Sequence, residues 1–440
     1  MTEYATQPRP LQIIVVGAGL GGLTAAAALR RAGHVIYESS QIKTEIGAGI
    51  ALQNNALRVL KTLGLDRGRL QSVGFNRINA YDVVSGDGRG VVFPHSEQAK
   101  ADGVNALTCH RSDAHDELKR LAIIGDTDDG YPPAELHLGS KVVGCDPEAG
   151  SITLASGEVV SADVVIGADG VHSTIRKSIL GETVTANATG WSCFRCLLDT
   201  SKLDDYPQLA WLKEGVEAPW NISTVHEGKM LALFLYFIRD RKLLNFVAFY
   251  SESKEEQEAK RRYILPLIRA NLTTLSAWTR AATKEDILAT VPGFHPKFRS
   301  LLDLPIVTPI LSWQLRALPL LPTWIKSRAL IMGDAAHATL PTLGQGAAMA
   351  IEEAGTLGVL LPLGTTPEQV PKRLEAFQEL RKERGEFVNV QSVAQTDPKT
   401  KSWTSMSEDE MKVYLLAHDV IKTAEEYYQV HFGAGAKVDV

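Results

Sequence analysis

The hydrophobic pattern at the start of the chain predicts a strand, a helix and a second strand. Leu11–Gly17 is a continuous apolar run, which is typical of a strand buried on both faces of a parallel sheet. Thr24–Ala32 is rich in alanine and predicts a helix, and Val35–Glu38 predicts the second strand. Together the segments indicate a βαβ unit, in which the turn after the first strand is the usual place for a ligand.

This turn carries a glycine at each position of the dinucleotide fingerprint GxGxxG. Gly17 permits the tight turn, Gly19 lets the backbone approach a pyrophosphate, and Gly22 allows close packing of helix on strand. The phosphates would lie at the helix N-terminus, where free amides and the positive dipole end face them. Glu38 follows Gly17 by about 20 residues, where a carboxylate can accept hydrogen bonds from a ribose diol. The sequence therefore predicts FAD or NAD rather than NADP in this turn.

Two later segments repeat the order of strand, glycine turn and helix. Ala162–Arg176 is a short apolar strand that opens into Gly167–Gly170, with Asp169 in a DG pair, and then a helix. Arg328–Ala354 is another apolar strand that runs into a GD pair and, after a loop, into a long helix of small residues. These two segments decide between the two dinucleotides.

Composition places the chain among ordinary globular proteins, at 440 residues, 45% hydrophobic and 22% charged. The net charge is −5 with both signs interspersed, so nucleic acid is not an expected partner. The apolar runs are shorter than the ~20 residues that span a bilayer, so no membrane is expected. The polar start, Met1–Pro10, leads directly into the first strand, and we expect a cytoplasmic protein without a signal peptide.

The four cysteines are too few for a disulfide framework, which favours a reducing compartment. Cys193 and Cys196 form a CxxC pair, but Trp191–Leu198 predicts a strand, on which residues three apart point to opposite faces. We therefore expect two core cysteines rather than a disulfide or a shared metal. The histidines lack metal-binding spacing as well, so no metal is predicted.

The glycine motifs GxGxxG, DG and GD occur in the order and at the spacing of a known enzyme family. The chain resembles the single-component FAD-dependent aromatic hydroxylases of the p-hydroxybenzoate and salicylate hydroxylase type. Further segments that match are Gly47–Ile50 with Asn54, His110–Asp113 and Ala417–Val420. The resemblance implies an α/β fold with a Rossmann-like FAD-binding domain, an inserted mixed β-sheet substrate domain and a helical C-terminus.

The resemblance also implies discontinuous domains, and local patterns agree with it. A hairpin from Lys229–Arg239 to Leu243–Tyr250 would belong to the inserted sheet. The predicted boundaries are 11–74, 105–185 and 311–361 for the FAD-binding domain, 75–104 and 186–310 for the substrate domain, and 362–440 for the C-terminal helical region.

Several residues take cofactor roles from this resemblance. Asp334 would bind the ribityl hydroxyls of the flavin, and Asp169 would serve the FAD pyrophosphate and the arrival of the nicotinamide. Arg111 would contact the cofactor near its diphosphate, a task that suits a permanent charge. A helix cap, an Asp-Gly turn and a surface arginine are the respective structural alternatives, and His337 is interpreted as structural. The predicted cofactor-binding residues are Gly17, Gly19, Gly22, Glu38, Gly49, Arg111, Asp169, Asp334, Gly344, Gly346 and Ala347.

The substrate pocket is expected between the flavin and the inserted sheet. Arg195 and Tyr236 occupy strand positions that line the substrate in comparable enzymes, and His226 is a further candidate base. The family oxidant, a C4a-hydroperoxyflavin, is an electrophile, so the substrate ring must be electron-rich and a phenolate is preferred. A guanidinium or a tyrosine near that oxygen would stabilise the anion. The structural alternative is that these are hairpin or interface residues without chemistry.

These features predict a monooxygenase that uses FAD, NAD(P)H and molecular oxygen to hydroxylate a small phenolic substrate, as a monomer or homodimer. Ala232 and Thr342 stand where benzoate and salicylate hydroxylases often carry histidines. The chain thus looks more similar to fungal polyketide phenol hydroxylases, some of which dearomatise the ring. Alternatives are a salicylate-type hydroxylase, an epoxidase of a secondary metabolite, and a flavin-fold binding protein without redox work, against which the intact DG and GD pairs argue.

Overall fold

A computed structural model of the chain describes residues 9–30, 34–37, 48–92, 96–124, 131–214, 218–226, 229–252, 278–396 and 406–433. Within these ranges the fold is mixed α/β, as predicted, with helices following the last strand. Glu38, one of the predicted cofactor residues, lies outside the described residues.

The strands form four sheets in the described part of the chain, of which two are large. The strands are β1 (Ile13–Val16), β2 (His34–Tyr37), β3 (Gly49–Leu52), β4 (Val73–Gly74), β5 (Arg77–Tyr81), β6 (Gly88–Val92), β7 (Leu107–His110), β8 (Glu135–His137), β9 (Val142–Asp146), β10 (Ser151–Leu154), β11 (Val159–Ser161), β12 (Val164–Gly167), β13 (Asn187–Asp199), β14 (Trp220–His226), β15 (Lys229–Ile238), β16 (Leu243–Ser251), β17 (Thr279–Ala281), β18 (Leu311–Ala317), β19 (Ile325–Lys326) and β20 (Ala329–Ile331).

The three longest of the described helices follow the last strand, β20. The helices are α1 (Leu20–Leu29), α2 (Asn54–Thr62), α3 (Ser96–Ala101), α4 (Arg111–Lys119), α5 (Thr174–Leu180), α6 (Lys284–Thr290), α7 (Pro296–Arg299), α8 (Asp334–His337), α9 (Gly346–Leu360), α10 (Val370–Ala394), α11 (Glu408–Leu416) and α12 (Val420–Phe432). None of these described helices is both long and apolar enough to cross a membrane.

The first large sheet brings the three glycine motifs to one edge. Its strand order is β19-β20-β12-β1-β2-β8, and β1 is parallel to both β2 and β12. All of β1 is buried, which explains its continuous apolar sequence. Gly17 follows β1, Asp169 follows β12 and Gly333 follows β20, which is parallel to β12. The three motifs therefore lie together at one edge of this sheet.

Helix α9 packs directly on α1 through small residues. A methyl group added at Gly21 would lie 3.0 Å from the Cβ of Ala350, and one added at Gly358 would lie 3.2 Å from the Cβ of Ala28. The two helices can approach this closely only because neither carries a large side chain at the contact. This explains the small-residue sequence of α9 and holds its N-terminus near the edge of the parallel sheet.

The second large sheet has the order β17-β18-β13-β16-β15-β14-β5-β6. The predicted hairpin is confirmed, since β15 pairs antiparallel with β16. The strand β18 also pairs with β13 in this sheet, although the predicted boundary placed residues from 311 onward in the FAD-binding domain. The domain boundaries stay a prediction, and β18 is the element that departs from them.

The two faces of this sheet have different neighbours. Phe194 and Cys196 of β13 belong to the core on one face. Cys193 belongs to a second cluster on the other face, where Leu340 and Val393 pack from the first sheet's loops and from α10. We call this second face the junction face. Cys193 and Cys196 therefore point to opposite sides, and both are free thiols, as predicted.

Candidate active site

The fingerprint turn contains two glycines that the fold itself requires and one that it does not. Gly17 has a φ of +105°, and an added Cβ would overlap the carbonyl oxygen of Ala168. A Cβ at Gly22 would overlap the carbonyl oxygen of Gly17. At Gly19, by contrast, an added Cβ meets nothing within 4 Å, and its backbone is ordinary and extended. Since Gly19 precedes α1, the space it leaves open is the cradle where a phosphate would meet the helix N-terminus.

The DG turn after β12 caps a helix and keeps one oxygen unused. Asp169 Oδ2 accepts hydrogen bonds from the backbone N–H groups of Thr174 (2.7 Å) and Ile175 (3.2 Å). Burial raises the pKa of the Asp169 carboxyl, although these hydrogen bonds oppose the shift. Its Oδ1 is buried and has no hydrogen-bond partner among the described residues. The structural role therefore leaves an acceptor for a ligand, and the predicted cofactor role stays a prediction.

The GD turn after β20 is held by hydrogen bonds to Glu353 of α9. Glu353 accepts a hydrogen bond from the backbone N–H of Gly333 at 2.7 Å, and its other oxygen lies 2.6 Å from His337 Nε2. Burial lowers the pKa of His337, but the Glu353 carboxylate more than offsets this, so the pKa lies above its ordinary value. His337 therefore supports the turn, as interpreted from the sequence. Asp334 itself is exposed, which leaves its carboxylate available to a ligand.

The segment before α9 forms a tight turn that ends at the helix N-terminus. Pro341–Leu343 is a 3-10 turn, and Gly344 follows with a left-handed φ of +62°. Helix α9 begins at Gly346, so Gly346 and Ala347 contribute backbone N–H groups from its first turn. Such amides and the helix dipole favour negative charge, which suits a flavin pyrimidine edge during reduction.

Gly49 lies in β3, in close contact with the eight-stranded sheet. Its N–H donates to Asn245 Oδ1 at 2.9 Å, and an added Cβ would overlap the ring of Tyr236. The glycine is thus required by the tyrosine from the other sheet. The neighbouring Arg111 begins α4, its N–H donates to the Ala48 carbonyl at 3.0 Å, and its side chain is half-buried.

Arg195 and Tyr236 share the junction face of the large sheet. The strand register aligns Arg195, Val247 and Phe234 in one cross-strand row, and Asn245 with Tyr236 in the next. Side chains of alternate residues share a face, so both rows look toward Gly49. Arg195 Nε is buried without a hydrogen-bond partner in the described part of the chain. The structure therefore brings together two of the three predicted catalytic residues.

The environment of Tyr236 decides its protonation state. Burial raises the pKa of its hydroxyl to about 12, although the positive charge of Arg195 pulls the pKa the other way. Tyr236 is consequently a neutral phenol near pH 7, and its hydroxyl can donate a hydrogen bond. Its catalytic role stays a prediction.

The third predicted residue does not join this group. His226 ends β14, which pairs with β15 from Trp220 opposite Leu235 to His226 opposite Lys229. Tyr236 lies at the other end of that hairpin, roughly 20 Å away at strand spacing. His226 as a base stays a prediction, but its strand places it away from Tyr236, and the sequence alone does not show at which end of a hairpin a residue lies.

Asn245, which the sequence pattern did not single out, is a further polar residue of the junction face, beside Arg195 and Tyr236. It lies in the apolar strand LLNFVAFYS, is fully buried, and holds Gly49 against Tyr236. A single polar residue inside an apolar run is the signal that could have found it, since buried amides need partners. No group of three or more potential metal ligands occurs in the described ranges.

Comparison with known proteins identifies the framework. A family model described as an FAD binding domain matches residues 146–392. The chain belongs to this family. The hispidin-3-hydroxylase of Neonothopanus nambi is 38% identical over 393 residues, covering 87% of each chain. The FAD-dependent monooxygenase cfoG of Aspergillus candidus is 32% identical, with 92% of this chain and 88% of the relative covered. A salicylate hydroxylase substrate complex shares the fold at a TM-score of 0.70 and 23% identity, covering 94% and 97% of the two chains.

The chain is therefore an FAD-dependent monooxygenase, and the geometry fits that cofactor. The open space at Gly19, the unpartnered Oδ1 of Asp169 and the exposed carboxylate of Asp334 lie along one edge of the parallel sheet. The junction face contacts β3 at Gly49.

The glycine geometry yields a separation of folding from cofactor binding. Gly19→Glu should leave the melting temperature of the apoprotein nearly unchanged but abolish FAD binding, because the new side chain fills the cradle. Asp334→Ala should weaken FAD binding, also without loss of apoprotein stability. Gly22→Ala is the contrasting control and should destabilise the fold by about 1–3 kcal/mol through overpacking. Stoichiometric FAD in purified Gly19→Glu would contradict the assignment.

The His337–Glu353 pair yields a pH dependence of stability. Because the folded-state pKa of His337 is raised, its contribution is fully present below the ordinary histidine pKa of about 6.5 and is lost as pH rises through the raised value. His337→Gln should lower the unfolding free energy by about 3–5 kcal/mol at pH 6. Thermal unfolding of both proteins from pH 5.5 to 9 should show the gap narrowing with pH; a gap that widens would contradict the pairing.

Proposed function

We propose that this enzyme hydroxylates a phenolic ring, ortho or para to its oxygen, with NAD(P)H as reductant and molecular oxygen as co-substrate. The observation that carries the proposal is the placement of Arg195 and Tyr236 on the junction face beside Gly49. The relatives named hispidin-3-hydroxylase and FAD-dependent monooxygenase support it. We infer a polyketide-derived phenol as the substrate class, with dearomatisation as one form of the product.

The charge at the junction suits a phenolate. Arg195 is half-buried with an unpartnered Nε, so it can supply a positive charge and a hydrogen bond to a bound oxygen. A positive charge at short range lowers the pKa of a phenol and favours its anion. Tyr236, as a neutral phenol, donates a second hydrogen bond to the same oxygen. The aromatic and aliphatic side chains of Phe234 and Val247 would pack on the ring.

FAD, when bound, passes electrons from NAD(P)H to dioxygen and supplies an electrophilic oxygen atom to the substrate. The chain's own groups hold and orient it: the Gly19 cradle, Asp169 and Asp334 on the sheet edge, and Gly344 to Ala347 at the start of α9. Gly49, which contacts Tyr236 and Asn245, would lie between the bound cofactor and the substrate. Arg195 and Tyr236 hold the substrate oxygen, so the ring carbon next to it faces the cofactor.

We further propose that the enzyme works in the cytoplasm, as a monomer or homodimer. The free state of Cys109, Cys145, Cys193 and Cys196 supports a reducing compartment. Size-exclusion chromatography with light scattering gives the oligomeric state.

Substitutions at the junction test the substrate site. Arg195→Gln and Tyr236→Phe should each keep stoichiometric FAD and flavin reduction but lower product formation by ~10² or more, since each removes a group that stabilises the reacting anion. Arg280→Gln, an exposed arginine on β17 of the same sheet, is the matched control and should behave as wild type. Wild-type product formation in both junction variants would place the substrate elsewhere.

Methylation of the substrate tests the need for an anion. The methyl ether of any accepted phenol should not be hydroxylated even where it binds, because an ether cannot ionise. The oxygenation rate with the phenol should rise with pH through the bound phenol's own ionisation. In Tyr236→Phe the rise should persist but move to higher pH, because it reports the phenol's ionisation and the variant loses a hydrogen bond to the anion. Rapid-mixing kinetics measure these rates, and equal hydroxylation of ether and phenol would favour an epoxidase instead.

A further inference from the structure

A chain of buried side chains connects the C-terminal helices to the turn before α9. Glu352 of α9 is fully buried and receives hydrogen bonds from Arg381 (2.6 Å) and Arg384 (2.8 and 2.9 Å), both on α10. These two guanidinium groups overcome the effect of burial and lower the pKa of Glu352 to about 2. Glu352 is therefore a carboxylate at every ordinary pH.

The same carboxylate faces Asn55 at the start of α2. Asn55 Nδ2 lies 2.6 Å from Glu352 Oε1 and 2.9 Å from Gln345 Oε1. Gln345 Nε2 in turn donates to Gln53 Oε1 at 2.9 Å, and Gln53 Nε2 donates to the backbone carbonyl of Leu343 at 3.2 Å. We call this sequence of contacts, from Glu352 through Asn55, Gln345 and Gln53 to Leu343, the amide relay.

The charge on Glu352 sets the direction of each hydrogen bond in the amide relay. A carboxylate only accepts, so Asn55 must present its NH2 group to it. The same NH2 group of Asn55 also donates to the side-chain oxygen of Gln345. The NH2 group of Gln345 therefore faces Gln53. Gln53 is left with its own NH2 group for the Leu343 carbonyl. One buried charge thereby orients three amides and engages the Leu343 carbonyl, which ties the turn before α9 to α2.

The other end of the network reaches the C-terminal segment. Arg384 also donates to the backbone carbonyls of Tyr414 and Leu415, both at 2.9 Å, at the end of α11. Arg58 donates to the carbonyls of Leu416 and His418 at 2.7 and 3.1 Å. Carbonyls at a helix C-terminus lack internal partners, so these arginines dock α11 on the protein. The docking of α11 and the turn before α9 thus share Glu352.

We propose that Asn55 is a positioning residue that couples the Glu352–Arg381–Arg384 cluster to the flavin-facing turn at 341–346, so that α10 holds the ring-binding amides in place. The proposal rests on the proposed placement of that turn beside the flavin. Gln345 is fully buried and contacts the relay rather than solvent, so it transmits position and does not itself react.

The test compares Asn55→Ala, Gln345→Ala, their double variant and Arg58→Met. Arg58→Met loosens the docking of α11 but lies outside the amide relay. For each purified protein we would measure apoprotein melting temperature, the FAD dissociation constant, and the visible spectrum of bound FAD at saturation. Gln53→Met, at the half-buried end of the relay, serves as the second variant should Asn55→Ala fail to fold.

Asn55→Ala and Gln345→Ala should each raise the FAD dissociation constant about tenfold, the usual effect of losing a buried hydrogen bond near a charge. Both should shift the flavin absorption bands in the same direction. The double variant should be no worse than the weaker-binding single variant, because the two residues act in one chain. Arg58→Met should lower the melting temperature but leave the spectrum of bound FAD unchanged.

Three outcomes would overturn the proposal, and they are distinguishable. A normal dissociation constant and spectrum in Asn55→Ala, with both altered in Gln345→Ala, would refute the relay but leave the turn beside the flavin. Unaltered flavin properties in Gln345→Ala would remove the turn from the flavin site and the relay with it. Additive effects in the double variant would also contradict coupling.

Discussion

The structure depends on two neighbouring carboxylates that α9 carries into the core. Glu352 and Glu353 are both fully buried, and each buried charge costs several kcal/mol unless it is paired. As adjacent residues on a helix they point in different directions, so their partners come from different elements. Glu353 recruits Gly333 and His337 and holds the GD turn. Glu352 accepts hydrogen bonds from Arg381 and Arg384 of α10 and from Asn55 of α2. A single helix, packed on α1 through small residues, thereby joins the cofactor edge to the C-terminal helices.

The second constraint is the contact between Gly49 and the junction face. Asn245 fixes the backbone of Gly49, and the absent side chain at that position leaves room for the Tyr236 ring. The eight-stranded sheet is held against β3 here by this hydrogen bond and this steric requirement, and Thr108 of β7 donates a further hydrogen bond to the Phe237 carbonyl at 2.7 Å. Burial at the same place raises the pKa of Tyr236, although the nearby charge of Arg195 opposes the shift.

Much of the fold could be predicted from local sequence, because it depends on local rules. The positive φ of Gly17, the open space at Gly19 and the contact of Gly22 with the Gly17 carbonyl belong to a single strand-turn-helix unit, and Cys193 and Cys196 follow strand alternation. The residues that were missed depend on partners far along the chain: Asn55 and Glu352 are 297 positions apart, and Gly49 and Asn245 are 196 apart. The position of His226 depends on hairpin register, and the protonation of Tyr236 on burial, neither of which a residue pattern contains. Polar residues inside apolar runs, such as Asn245 in β16 and the Glu352–Glu353 pair, were the available signals.

The origin of the oxygen atom in the hydroxylated product is the most direct test of the monooxygenase reaction. FAD-loaded enzyme would be given NAD(P)H and a panel of phenols that includes hispidin, resorcinol and salicylate, under an atmosphere of 18O2. The account predicts that mass spectrometry of an accepted substrate's product finds one 18O atom in the newly formed oxygen substituent, and that FAD-free protein forms no product. Oxygen derived from water, or NAD(P)H oxidation without an oxygenated product from any phenol, would contradict it.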